Sequence, residues 1–136
     1  VIVIDASSLA KYIVKEEGWT EVEKYLIGEE VHSVDLIVKE VLNVIWKYST
    51  ILKVFPMDVA IEKYTILKGL VDEGVIILSD ESPYLEKAFN IATRMRITIY
   101  DALYIAQAIE LHTRLLTSDE SQMNVARNLG LEVTLV

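Results

Sequence analysis

The sequence contains no cysteine. Disulfides, zinc–thiolate centres and thiol catalysis are therefore excluded. Histidine is almost as scarce: only His32 and His112 occur, too few for a histidine-rich metal site. Glycine motifs of the kind that cradle phosphates or dinucleotides are missing, which removes P-loop and Rossmann-type sites. No apolar run approaches about 18 residues, so no membrane-spanning helix is expected. Repeats, low-complexity tracts and Gly/Ser/Pro linkers are absent as well. The opening Val1-Ile2-Val3-Ile4 meets Asp5 with no basic segment before it, unlike a signal peptide. The expected location is the cytoplasm.

What the chain does have is acid and hydrocarbon. Its 136 residues fit one domain, and 52% of them are hydrophobic, above the usual share. That excess points to a largely buried sheet or to an apolar surface that meets another chain. The net charge is −8. Nucleic-acid binders usually attract phosphates with lysine and arginine, so this balance argues against one at first sight. Solubility alone accounts for many acids. A second account is that some carboxylates hold cations, whose charge then attracts phosphate.

Hydrophobic periodicity orders the chain. Val1–Ile4 reads as a buried strand, followed by helices from Ala6 to Glu17, closed by Gly18, and from Thr20 to Ile27. Val31–Val34 is a strand. Apolar residues at Ile37, Val38, Val41, Leu42, Ile45 and Tyr48 have helical spacing, giving a helix from Asp35 to about Leu52. Pro56 marks a break, and Asp58–Asp72 is the next helix. Val75–Leu78 is a strand, Pro83–Met95 a helix with Pro in its first turn, and Ala102–Leu111 a helix. Leu115–Thr117, the helix Glu120–Leu129 and the strand Glu132–Leu135 complete the chain. Such alternation predicts an α/β fold with a mostly parallel sheet covered on both faces. In open sheets of this class the site lies beyond the carboxyl ends of the strands.

Acids stand at several of those places. Asp5 follows the first strand, and Asp119 follows Leu115–Thr117. Taken singly, each reads best as a helix cap, Asp119 with Gln122 as a capping box. Asp101 precedes a helix that is apolar almost all round and reads as its cap. Glu40 differs because it lies inside a helix, just beyond the apolar stripe. Lys39 or Lys47 would be its ordinary partners, and Asn43, which shares its side of the helix, is a candidate hydrogen-bond partner. Ser7 is placed to support Asp5. If the sheet brings the four acids to one edge, their mutual repulsion raises their pKa values. Divalent cations relieve that repulsion, and oxygen-only ligands suit Mg²⁺ or Mn²⁺.

Four segments together carry a resemblance: Val1-Ile2-Val3-Ile4-Asp5-Ala6-Ser7-Ser8, Glu40-Val41-Leu42-Asn43-Val44-Ile45-Trp46-Lys47, Tyr100-Asp101-Ala102-Leu103-Tyr104-Ile105-Ala106 and Leu115-Leu116-Thr117-Ser118-Asp119. In this order they resemble the PIN-domain ribonucleases, and among them the VapC-type toxins of toxin–antitoxin pairs. The resemblance spans essentially the whole chain, residues 1–136 as a single PIN domain, with no departure at the acids. It implies a three-layer α/β/α fold with a five-stranded parallel sheet in the order 3-2-1-4-5. It implies Mg²⁺- or Mn²⁺-dependent cleavage of RNA by an activated water. Asp5, Glu40, Asp101 and Asp119 would be the catalytic, metal-binding carboxylates, supported by Ser7, Asn43 and Thr117. Lys11, Lys15, Lys39, Arg94 and Arg96 are candidates for phosphate contacts. Homodimer formation and a cognate antitoxin are the implied partners, with Tyr12, Trp19, Trp46, Tyr48 and Phe55 as candidate contacts. By charge alone, an antitoxin side chain reaching the acids would be basic.

Other readings fit less well. A phosphoryl-receiver domain needs a lysine after its fifth strand, and that strand runs to the last residue. A haloacid-dehalogenase-type phosphatase needs an acid where Ser7 stands. A housekeeping RNA-processing nuclease and a non-catalytic PIN-like scaffold stay open, because a fold alone does not fix activity.

Overall fold

Strand β1 (Ile2–Ile4) has no exposed surface, because sheet neighbours flank it and helices cover both its faces. In the computed structural model, which describes all 136 residues, it is the third of five parallel strands in the order β3-β2-β1-β4-β5. Its neighbours are β2 (Val31–Val34) and β4 (Arg114–Thr117), with β3 (Ile76–Ser79) and β5 (Val133–Leu135) at the edges. The chain first builds outwards from β1 to β3, then returns to lay β4 on the other side. Strand order therefore reverses between β1 and β4, and a crevice opens there at the carboxyl ends. Ile4 pairs with Leu116, so this register puts Asp5 and Thr117 level at the crevice.

Seven α-helices cover the sheet: α1 (Ala6–Val14), α2 (Trp19–Gly28), α3 (Leu36–Trp46), α4 (Met57–Asp72), α5 (Leu85–Met95), α6 (Ile99–Glu110) and α7 (Glu120–Asn128). A short 3₁₀ turn, Ser82–Tyr84, leads into α5. No helix is long and apolar enough to cross a membrane. One hydrophobic core of 30 buried residues joins the layers.

Three helices depart from the expected boundaries by three residues or more, each for a local reason. Helix α1 stops at Val14, short of Glu17, because Lys15 takes the left-handed conformation (φ 61°). That conformation is costly for a residue with a Cβ. The ammonium of Lys15 is repaid by lying 4.0 Å from the Tyr12 ring centre and 3.8 Å from that of Trp19, a cation–π arrangement. Gly18, expected to close α1, is instead the residue before α2. The long helix expected to reach Leu52 is regular only to Trp46, then widens into a π turn over Lys47–Ile51. There the Ser49 hydroxyl donates to the Ile45 carbonyl at 3.0 Å, the back-bonding that loosens a helix.

The third departure bears on the site. Helix α6 begins at Ile99, three residues before the expected Ala102, and Thr98 is its cap, its hydroxyl accepting the Asp101 amide at 3.1 Å. Asp101 therefore lies in the first turn, and its carboxylate is released from capping. The sequence carries the signal, since Thr98 and Asp101 have the spacing of a capping box.

Helix α6 also buries Gln107 completely, and neither polar atom of its amide has a hydrogen-bond partner in the protein. Burying an unpaired amide is unfavourable. Gln107→Leu is expected to raise unfolding free energy by about 1–2 kcal/mol, measured by urea denaturation. Equal or lower stability of the variant would show that the amide is satisfied in solution.

Candidate active site

Asp5 caps α1, its Oδ1 accepting the Ser8 amide at 3.1 Å. It is nevertheless only 4% exposed and does more than cap. The Ser7 hydroxyl donates to Oδ1 at 2.6 Å, and the Thr117 hydroxyl donates to Oδ2. Each hydroxyl in turn accepts a backbone amide from the end of β4: Ser118 N–H reaches Ser7 at 2.9 Å, and Asp119 N–H reaches Thr117 at 3.1 Å. Two amide–hydroxyl relays thus clasp one carboxylate across the β1/β4 crevice. Ser7 and Thr117 thus both contact Asp5 directly.

Asp119 caps α7, accepting Ser121 N at 2.8 Å and Gln122 N at 3.3 Å, with the Ser121 hydroxyl at 2.7 Å. The second half of the expected capping box is not formed. Gln122 Nε2 instead donates to the Asp101 carbonyl at 2.9 Å, which ties α7 to the start of α6. Because Thr117 already takes the Asp119 amide, Gln122 is free to make that tie.

Glu40 does not pair with Lys39 or Lys47. Its Oε1 accepts the phenol of Tyr104 at 2.6 Å, from a tyrosine only 1% exposed on α6. The carboxylate is drawn inwards, away from Asn43, which is exposed. The expected hydrogen bond from Asn43 to Glu40 is accordingly not formed. Sequence reasoning missed Tyr104, since a tyrosine in an otherwise apolar helix reads as core. Its spacing of three from Asp101 puts the two on neighbouring parts of one helix face, and that was the available signal.

The electrostatics link all four acids. Burial pushes the Asp5 carboxyl from its ordinary 3.8 up to about 6, against its hydrogen bonds, and the charge of Asp101 adds to the rise. Asp101 is raised by burial and by Asp119, with the Thr98 hydroxyl opposing. Glu40 is raised by burial, lowered in part by the Tyr104 phenol, and raised again by Asp101. Asp119 alone is lowered, chiefly by the Ser121 hydroxyl. Asp101 is the centre of this field. None of the four joins an ion pair; every salt bridge lies elsewhere. No three of the acids stand close enough to form a ready-made cage around one ion. The donor set is oxygen only, half-buried or buried in three cases, and lacks a protein cation. That chemistry fits a hard divalent ion.

The family model of the PIN domain matches residues 2–128. The chain belongs to the PIN-domain family. Ribonuclease VapC3 of Pyrobaculum aerophilum is 30% identical over 122 residues, covering 87% of this chain and 88% of that protein. Among solved structures, PAE2754 of the same organism superposes with a TM-score of 0.71 at 20% identity, covering 97% of this chain and 87% of that one. VapC20 of Mycobacterium tuberculosis, described as a sarcin–ricin loop cleaving toxin, gives 0.70 at 11% identity, with coverage of 91% and 94%. FitAcB of Neisseria gonorrhoeae gives 0.59 at 14%, with coverage of 98% and 96%. These likenesses establish the PIN fold, and the curated relative makes this a VapC-type PIN protein.

Two outcomes follow from the site's electrostatics. The raised Asp5 pKa means that the folded, cation-free protein binds that proton more tightly than the unfolded chain does. Stability from this group is present below pH 3.8 and lost as pH rises through about 6. Wild type minus Asp5→Asn stability is therefore expected to fall by about 2 kcal/mol between pH 4 and pH 7, measured by denaturation in chelator. A pH-independent difference would contradict the burial argument. Separately, Tyr104→Phe is expected to raise the Glu40 pKa further, with a loss of about 1–2 kcal/mol in stability. Carboxyl carbon NMR titration reads the shift, and an unchanged Glu40 titration would show that the phenol does not hold it.

Proposed function

We propose that this PIN protein is a Mg²⁺- or Mn²⁺-dependent endoribonuclease, the cytoplasmic toxin of a toxin–antitoxin pair, with residues 1–136 acting as one catalytic unit. The observation that carries the reading is a set of four carboxylates, three of them raised in pKa and none of them in an ion pair. The curated relative called a ribonuclease and the structural neighbour called an RNA-cleaving toxin support the same conclusion.

Asp5, Glu40, Asp101 and Asp119 would hold the ion or ions. A divalent ion bound there supplies a water of lowered pKa and neutralises charge on the phosphate. The chain's own residues set the stage. Ser7 and Thr117 fix both oxygens of Asp5, so that acid enters the site in one orientation. Tyr104 commits one oxygen of Glu40 and leaves the other free. The cap of Thr98 keeps the Asp101 carboxylate available, while Asp119 stays ionised through its Ser121 hydrogen bonds.

The partners in this proposal are RNA, a cognate antitoxin and a second copy of the chain. Exposed apolar side chains support protein partners: Leu42, Trp46, Ile61 and Tyr64 on α3 and α4, and Leu85 and Phe89 on α5. Of the five aromatic candidates named from sequence, only Trp46 is exposed, at 50%. Tyr12 packs edge-on against Trp19, and Tyr48 against Phe55.

The test is cleavage of total cellular RNA, with Mn²⁺ or Mg²⁺ supplied. Asp5→Asn and Asp101→Asn are each expected to lower the rate by at least about 100-fold, a loss of roughly 3 kcal/mol in transition-state stabilisation, with the circular-dichroism spectrum retained. Chelation is expected to abolish wild-type cleavage and readdition of the metal to restore it. Wild-type rates in both variants would sink the assignment.

A further inference from the structure

A groove leaves the acid site between α1 and α3. Ala6, Ser7, Ala10 and Lys11 of α1 line one side, and Glu40 and Val44 of α3 the other. Ser118 closes it at the acid end, and Glu16 also lines it. Ser7 and Glu40 belong to both groove and site, so the two are continuous. Lys11 is the only cation lining it. The other basic residues singled out from sequence are engaged or lie apart. Lys15 is stacked on Tyr12 and Trp19, Arg94 lines a different depression beside α5, and Lys39 and Arg96 are exposed outside the groove.

Lys11 is half-buried, and its ammonium donates to the main-chain oxygen of Val136, the last residue of the sequence, at 3.0 Å. An ammonium has three N–H donors, so this bond steadies the side chain and leaves donors for another acceptor. Ser7 and Lys11 are one helical turn apart, a rise of about 6 Å at 1.5 Å per residue. That spacing is comparable to the step between successive phosphates of an RNA strand. The apolar stretch between them, Ala10 against Val44, suits a sugar better than a phosphate.

Resting on the proposed nuclease activity, we propose that this groove is the track for the RNA backbone beside the cleaved bond, with Lys11 binding the phosphate one step from it. Two carboxylates, Glu16 and Glu40, line the same groove as that single ammonium. The track therefore attracts RNA only when cations occupy the acid site and reverse the local charge. Glu16 is held by the Tyr48 hydroxyl at 3.0 Å, which bounds the track at the end away from the acids.

The experiment is fluorescence anisotropy of a labelled short oligouridylate, in constant Mg²⁺, over a range of potassium chloride concentrations. Each phosphate neutralised on a single strand contributes about 0.7 to the slope of log affinity against log salt. Lys11→Ala is expected to weaken binding several-fold at low salt and to reduce the slope by about 0.7. Lys11→Arg is expected to keep the wild-type slope. Thermal melting of each variant accompanies the titration. A Lys11→Ala protein that melts lower but keeps the wild-type slope shows that Lys11 only props the Val136 end of β5, and overturns the proposal. Wild type that binds and cleaves RNA with a slope insensitive to Lys11 removes the track alone. Wild type that neither binds nor cleaves RNA removes the nuclease reading and the track together.

Discussion

The buried carboxylate of Asp5 constrains everything around it. It sits at the end of the most buried strand, where an ionised group is costly unless its oxygens are satisfied. Three donors satisfy them: one backbone amide from α1 and two hydroxyls, one of which comes from β4. Those hydroxyls accept the amides of Ser118 and Asp119, so the start of α7 is placed by the same network. The sheet supplies the frame, since pairing Ile4 with Leu116 brings the two strand ends level. Loss of the β1/β4 register would separate Asp5 from Thr117 and from the peptide that positions Asp119.

Capping and chemistry are divided among the acids in an ordered way. Asp5 and Asp119 cap helices and also face the crevice, so the carboxylates most firmly fixed are those at the strand ends. Asp101 is spared that duty by Thr98, and Glu40 is steadied by the Tyr104 phenol. Helix α6 thereby controls two of the four acids, one through its own first turn and one through a residue three positions on. Its small residues, Ala102, Ala106 and Ala108, let it lie deep against the sheet, which brings Tyr104 within reach of α3. Burial and mutual repulsion raise three of the four carboxylates, while every lysine and arginine ion pair is made elsewhere.

Most of the fold was legible in the sequence because short apolar runs alternate with helical periodicity, and the strand ends are marked by Asp5 and Thr117-Ser118-Asp119. The sheet order rested on the family resemblance, since periodicity alone does not order strands. Local side-chain chemistry hid the rest. Lys15 takes a left-handed conformation that glycine usually fills, because two aromatic rings receive its ammonium. Ser49 converts a regular helix into a π turn by bonding back to Ile45. Thr98 starts α6 early and moves Asp101 from the expected cap into the first turn. The partner of Glu40 was beyond reach of local reasoning: Tyr104 is 64 residues away, and nearby Asn43 was the more obvious choice.

The central proposal is that these carboxylates bind divalent cations at the β1/β4 crevice. Diffraction from Mn²⁺-soaked crystals, recorded where manganese scatters anomalously, tests it most directly. The account predicts an anomalous peak in contact with Asp5 and Asp101, lost in Asp101→Asn crystals soaked in the same way. Manganese bound elsewhere on the chain with none at these acids, in crystals that leave the crevice open to solvent, would contradict it.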